Sequence, residues 1–509
     1  MRCGILYIVF WLAQAASAQG TAAAPRKDPP ASKSNTQNKT TAPRTPNKPG
    51  PEAGHEASVD RRVIGYKPGL NARVEKFPGN RQTVHAAGGA AVRMNSGRLT
   101  AVRTPDGTVI RHLPGGARSV EVQRPGGALV VVGGAGAGYV QRPVVTGSRQ
   151  LIQRTYISSS GQVAVRAYQR YTYRGVVLDA YMPLQYYNPA LYEYAATPWP
   201  VPVAYSWEWS GSPWYGYFGG YFTPYPLYPG PAYWLTDYVL ASTLQEAYQE
   251  NPSVARAAAG GGVGTVPSGI TPEVKEILTD EVRRYLAVER ASFSAETGAP
   301  SGNAGGITRS ASPFPGDWPH ALVVNATIES DFSAEPCILH AGDVLQVPPP
   351  TEPQGSSATV LMWASTGGCK VRTVTSVALR DLVEMQNHLR ELVERGLGEL
   401  QARQGRRDLP KLAGPLLQPP VPSSWASQIK PDPNVKDELR KASEAAGAEE
   451  REAVRQTLVP VTVGPGDTVE TVIGVFGQPL QIVDLGPAKV YRYGDMRITF
   501  QDGKVTEIK

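Results

Sequence analysis

The chain has 509 residues, of which 53 are glycine and 46 proline, near a fifth of the total where about 12% is ordinary. Charged residues make up 19% and the formal net charge is +7. This composition excludes one compact α/β enzyme filling the chain. After the leader described below, no segment reaches the ~20 consecutive apolar residues that span a membrane.

Residues 1–18 read as a signal peptide. Arg2 is a short positive region, Gly4 to Ala13 an apolar stretch, and Ala16-Ser17-Ala18 a small-residue cleavage pattern, which places the mature start at Gln19. Residues 19–60 hold almost no large apolar side chain and read as a disordered linker. From 61 to 180 short β-rich runs alternate with turn signals, and glycines 107, 116 and 127 recur at the rhythm of a hairpin meander. This antiparallel module is basic. Residues 61–174 carry 18 Lys and Arg, 16 of them arginine, against 3 Asp and Glu.

Residues 181–238 contain 13 Tyr, 5 Trp and 2 Phe among prolines and glycines, and the proline density argues against helix and central strand. A helical segment follows over 232–291, with Thr271-Pro272-Glu273 as a helix start and a glycine-rich break at 260–268. Residues 292–318 read as a linker and 319–405 as a small α+β domain, whose helix opens on the capping box Asp381-Leu382-Val383-Glu384. A Pro-rich linker at 406–434, a polar alanine-rich helix at 435–458 and a small α+β module at 459–509 complete the chain. The fold class is therefore multi-domain and mixed: β-meander, irregular aromatic segment, helices, two small α+β units and long disordered linkers.

Export bears on the cysteines. Cys3 leaves with the leader, and the remaining pair, Cys337 and Cys369, reads as a disulfide in an oxidising compartment. Zinc is the competing reading of Cys337 and His340. It would need Cys369 and an isolated His320 or His388 to complete four ligands.

Two sets of motifs resemble known material. Gly466-Asp467-Thr468, Val472, Phe476-Gly477-Gln478-Pro479, Tyr491-Arg492-Tyr493 and Ile498-Thr499-Phe500-Gln501-Asp502-Gly503-Lys504-Val505 resemble the SmpA/OmlA (BamE-like) envelope module. The resemblance implies a helix, a turn and antiparallel strands that scaffold protein contacts near the outer membrane. The lipid anchor of that family is missing, so its outer-membrane assembly role is not carried over. Trp207-Glu208-Trp209, Trp234-Leu235-Thr236-Asp237-Tyr238, Thr271-Pro272-Glu273-Val274-Lys275 and Ala341-Gly342-Asp343-Val344 are similar to stretches of uncharacterised exported bacterial proteins with a Tyr/Trp/Pro/Gly-rich centre. That likeness implies export and architecture but no activity.

Neither a nucleotide-binding loop nor a nucleophile elbow is present in the sequence, and the carboxylates Asp179, Glu193 and Glu208 lack a spacing that would fix a glycosidase pair. No catalytic residue, cofactor or metal is assigned, and the chain is expected to be non-enzymatic. Two surfaces are candidates. The arginines Arg93, Arg98, Arg103, Arg111, Arg118, Arg124, Arg154, Arg166, Arg170 and Arg174 suit an anionic partner, since the guanidinium fork grips carboxylate or phosphate bidentately. The alternatives are a solvated face, or docking on the acidic remainder of the same chain. The rings Trp199, Trp207, Trp209, Trp214, Tyr215 and Tyr217 suit stacking on sugars or proteins, or else a packed irregular layer. The expected role is binding or scaffolding in the cell envelope, periplasmic, outer-membrane-associated or secreted. The expected partner is an envelope polymer or protein rather than nucleic acid. A polysaccharide-binding or polysaccharide-processing protein is the alternative.

Overall fold

A computed structural model describes residues 62–77, 80–113, 116–147, 149–250, 269–297, 314, 319–329, 337–349, 355–367, 369–406, 409–493 and 496–509. The signal peptide, the 19–60 linker, the 260–268 break and most of the 292–318 linker lie outside them. The architecture is mixed, and none of the described helices is long and apolar enough to cross a membrane.

In chain order, β1 (Val63–Pro68) precedes an eleven-stranded antiparallel sheet in which each strand pairs with its sequence neighbours. Its strands are β2 (Arg73–Phe77), β3 (Arg81–His85), β4 (Ala91–Asn95), β5 (Arg98–Arg103), β6 (Val109–His112), β7 (Arg118–Arg124), β8 (Ala128–Val132), β9 (Gly138–Thr146), β10 (Arg149–Ile157), β11 (Val163–Tyr173) and β12 (Val176–Met182). Next come β13 (Gln185–Tyr186), α1 (Pro189–Ala196), α2 (Pro213–Phe218), α3 (Pro231–Glu250) and α4 (Pro272–Thr297). The disulfide unit holds β14 (His320–Val323), β15 (Ile328–Glu329), β16 (Ile338–Leu339), β17 (Val344–Val347), β18 (Ser357–Ala364), β19 (Val374–Ala378) and α5 (Leu379–Ala402). The chain closes with β20 (Val421–Pro422), α6 (Val435–Thr457), β21 (Leu458–Val463), α7 (Val469–Phe476), β22 (Gln481–Leu485), β23 (Ala488–Tyr493), β24 (Met496–Gln501) and β25 (Lys504–Ile508).

Strict alternation gives the meander two unlike faces. Val84, Val92, Met94, Val102, Ile110, Val120, Val130 and Val140 are buried on one. Arg93, Arg103, Arg111, Glu121, Tyr139, Arg154 and Tyr156 alternate with them on the other, as the strand register requires. The alanine-rich α6 covers the apolar face through Val435, Leu439, Ala442, Ala446 and Ala453. Small side chains let that helix approach closely, so a polar-looking helix completes the core.

Proline does not keep 181–238 free of helix. Pro189, Pro213 and Pro231 are the first residues of α1, α2 and α3, where the missing N–H has no intrahelical partner to lose. The capping box does not start α5 either. That helix begins at Leu379 behind Ala378, and Glu384 turns instead to Arg154. Within 406–434 the Pro-rich composition conceals buried Leu409, Leu412, Trp425 and Ile429, and β20 pairs with β13.

The parts are interleaved. β1 pairs with β21, from Val63 opposite Val463 to Pro68 opposite Leu458. In the four-stranded C-terminal sheet, α7 is capped by Thr468, whose hydroxyl accepts from Thr471 N at 3.3 Å, and buries Val472, Val475 and Phe476 against Tyr491, Ile498 and Phe500. Gly97, in the left-handed region at φ +72°, turns β4 into β5 and presses against the Val475 carbonyl and Phe476, so a side chain there would push this sheet off the meander.

Cys337 and Cys369 form a disulfide with Cα atoms 5.1 Å apart, inside a core of Leu322, Leu345, Val360, Met362, Leu382 and Met385. Replacing both cysteines by alanine is expected to lower stability by about 3 kcal/mol, read as a fall in the thermal midpoint that reductant reproduces in the native chain.

Candidate binding groove

The polar face of the meander is divided. Over β10–β12 it is covered by α5, and charge holds the two together. Arg154, 3% exposed, donates to both Glu384 carboxylate oxygens at 2.7 and 2.8 Å and to Gln141 Oε1 at 2.7 Å. Its guanidinium lies 5.0 Å from the Tyr139 ring centre and 4.1 Å from that of Tyr168. Arg166 pairs with Glu391 and stacks on Tyr156 at 4.0 Å. Arg170 pairs with Asp179 at 2.8 Å. Between these pairs, Tyr181 N donates to Asn387 Oδ1 at 2.8 Å, and Asn387 Nδ2 donates to the Asp179 carbonyl at 2.7 Å.

Burial raises the pKa of Glu391, yet Arg166, Arg395 and His388 hold it below the ordinary carboxylate range. Glu394 goes the other way. Burial, helped by Glu289 and Glu391, pushes it up to about 8 against the 2.6 Å hydrogen bond donated by Tyr181. The unfolded chain releases this proton near pH ~4.5, whereas the folded chain keeps it to about 8. The Glu394 contribution to stability therefore falls as pH rises through that window. Glu394→Gln is expected to flatten the pH dependence and to stabilise the chain by about 1 kcal/mol near its upper end, in urea unfolding series at several pH values.

Over β4–β9 the same face is open. It floors a groove of about 2350 Å³, larger than the ~300–1,000 Å³ of small-molecule sites. Arg93, Arg98, Arg103, Arg111 and Arg124 line it, with Leu129 and Val131 between the charges. Arg380, at the start of α5, stands at one side, and Glu121 sits 3.6 Å from Arg111 and 3.5 Å from Arg380. Arg103 and Arg124 make no ion pair among the described residues. The far wall includes Tyr217 and Tyr248 from α2 and α3, and His340 and Thr366 from the disulfide unit.

The structure thus sorts the arginines singled out by charge. Arg154, Arg166 and Arg170 are engaged within the chain, and Arg118 pairs with Glu450 of α6 at 3.0 Å. Arg174 lies at the β11–β12 turn against Tyr173. Arg93, Arg98, Arg103, Arg111 and Arg124 come together in the groove. Part of the basic face is thus engaged within the chain, and the rest lines the groove.

The aromatic residues form a packed layer. Trp199, Trp207 and Trp214 are buried, Trp209 and Tyr215 are half-buried, and Tyr217, 36% exposed, reaches the groove wall. Trp209, Trp207, Trp234 and Tyr238 stack in sequence at 5.2, 4.9 and 5.6 Å. Acrylamide is therefore expected to quench tryptophan emission weakly in the folded chain and strongly in urea. Equal quenching in both states would overturn this packing.

Sequence reasoning passed over the polar centre of that layer. Trp207 Nε1 donates to Tyr228 Oη at 2.7 Å, Tyr228 donates to Asp237 at 2.8 Å, and Lys275 Nζ lies 2.6 Å from Asp237. Burial draws Asp237 upward and Lys275 downward, each opposed by the other's charge. Asp237 and Lys275 stand in two separate stretches of sequence, and only the α3–α4 contact brings them together as a pair. Glu193 and Glu208 sit in separate pairs with Arg290 and Arg403, both at 3.4 Å, away from Asp179. Compared with protein-family models, curated proteins and solved structures, the chain matches none.

Proposed function

We propose that this chain is a non-enzymatic binding or scaffolding protein of the cell envelope, exported by its N-terminal leader, and that it holds an anionic envelope polymer or protein in the arginine-lined groove. One observation carries the reading: half of an arginine-bearing sheet face is neutralised by α5, while the other half stays open with Arg103 unpaired among the described residues. A disulfide accords with an oxidising compartment. The SmpA/OmlA-like C-terminal module supplies a second contact surface, because edge strand β22 and its approach expose Leu480, Ile482 and Leu485.

A polysaccharide reading keeps one foothold. Tyr217 and Tyr248, with ring centres 6.3 Å apart, border the same groove. The test is co-sedimentation of the mature chain with peptidoglycan and retention on immobilised alginate over a salt series. Capture that weakens with salt and is lost in Arg103→Glu/Arg111→Glu supports the proposal. Capture indifferent to both salt and the variant overturns it, and glycan turnover would overturn the non-enzymatic assignment.

A further inference from the structure

We infer that the groove's partner is an acidic helical segment of another protein, which lies beside α5 on the same arginine face. This rests on the reading of the groove as an anion-binding site and names the partner's chemistry.

The covered half supplies the precedent. There α5 sets Glu384 and Glu391 seven residues apart, two helical turns and ~10 Å along the axis, and each meets an arginine on a neighbouring strand. In the covered half the two arginines stand directly opposite each other on adjacent strands, whereas the open half spaces its pair more widely, close to the separation of carboxylates at i and i+7. Arg93 on β4 and Arg111 on β6 flank Ala101 on β5 in one cross-strand row, two strand spacings or ~9.6 Å apart. Arg103 lies two residues along β5 from Ala101, on the same face. A helix with carboxylates at i and i+7 can therefore span this row.

The uncharged residues favour a protein over a glycan. Leu129 and Val131, half-buried on the groove floor, offer apolar contacts to the side chains of an amphipathic helix and nothing to hydroxyl groups. Ala101, the small residue between two arginines, leaves room for a helix to settle onto the sheet. Charge sets the sign, since eight arginines line the groove among the described residues against five carboxylates, of which Asp179 and Glu384 are already paired with arginine.

The test is fluorescence anisotropy with the full mature chain and three probes. They are a helix-forming Glu/Ala/Leu peptide with glutamates at i and i+7, a peptide of equal composition with scrambled spacing, and alginate as competitor. The spaced peptide is expected to bind at least about tenfold tighter than the scrambled one. Arg103→Glu/Arg111→Glu should weaken it by about tenfold or more. Ala101→Glu, which places a carboxylate within the arginine row, should weaken it likewise with an unchanged thermal midpoint, so a misfolded double variant cannot decide the matter. Equal binding of the two peptides would overturn the helical partner. Alginate binding without peptide binding would also overturn it, yet leave the anion-binding reading standing. If no probe binds, both readings fall.

Discussion

Lys275→Met is expected to destabilise the chain by about 4–5 kcal/mol, the largest effect of any single substitution considered for this fold. The ammonium is 4% exposed and its partner carboxylate, Asp237, is fully buried. Lys275 also donates to the Thr223 carbonyl at 2.6 Å and lies 4.1 Å from the Tyr225 ring centre. Methionine fills a similar volume but leaves Asp237 facing Tyr225 N and Tyr228 Oη with an uncompensated charge. Asp237 already has a raised pKa from burial, opposed chiefly by Lys275. Without the lysine it titrates higher still. A carboxyl whose folded pKa exceeds its unfolded value costs stability as pH rises above the unfolded value, so the deficit of Lys275→Met should shrink toward pH ~4. Lys275→Met/Asp237→Leu should cost less than Lys275→Met alone, because no charge is then stranded. Urea unfolding followed by tryptophan emission reads all three. A deficit independent of pH would show that packing, not charge, holds α3 to α4.

That pair marks where sequence reading stops. Local rules located the elements well: turn glycines spaced the meander, Thr468 started α7, and Pro272 opened α4. They failed where one residue type serves two ends. Pro189 and Pro213 argue against helix by composition, yet proline is favoured at a first helical position, and Asp381 to Glu384 imitates a cap although Glu384 serves Arg154. The site was legible as charge but not as place. Sixteen arginines signal an anion-binding face, yet nothing local says which of them meet α5 and which face the groove. That division depends on where residues 379–402 pack, a contact made across two hundred positions of chain or more. The tryptophans were ambiguous for the same reason, because exposure is a property of the partners a ring finds.

Arg154→Met is expected to cost about 3–4 kcal/mol, less than loss of Lys275, and the difference follows from exposure. Glu384 is 29% exposed and can turn to water, and Asp179 keeps Arg170 at 2.8 Å. Only part of the charge is stranded. The damage should also be local. Arg166–Glu391 and the Asn387 hydrogen bonds still hold the middle of α5, so faster amide exchange should be confined to its first two turns. The groove adds a second readout. In the native chain Arg154 neutralises Glu384 beside Arg380, on the rim. Once released, that carboxylate joins Glu121 in repelling an acidic ligand. Arg154→Met should therefore weaken the spaced acidic peptide although Arg103 and Arg111 are untouched, and Arg154→Met/Glu384→Gln should restore binding without restoring full stability. Recovery of both together would mean that α5 position alone shapes the groove, and recovery of neither would remove Glu384 from its electrostatics.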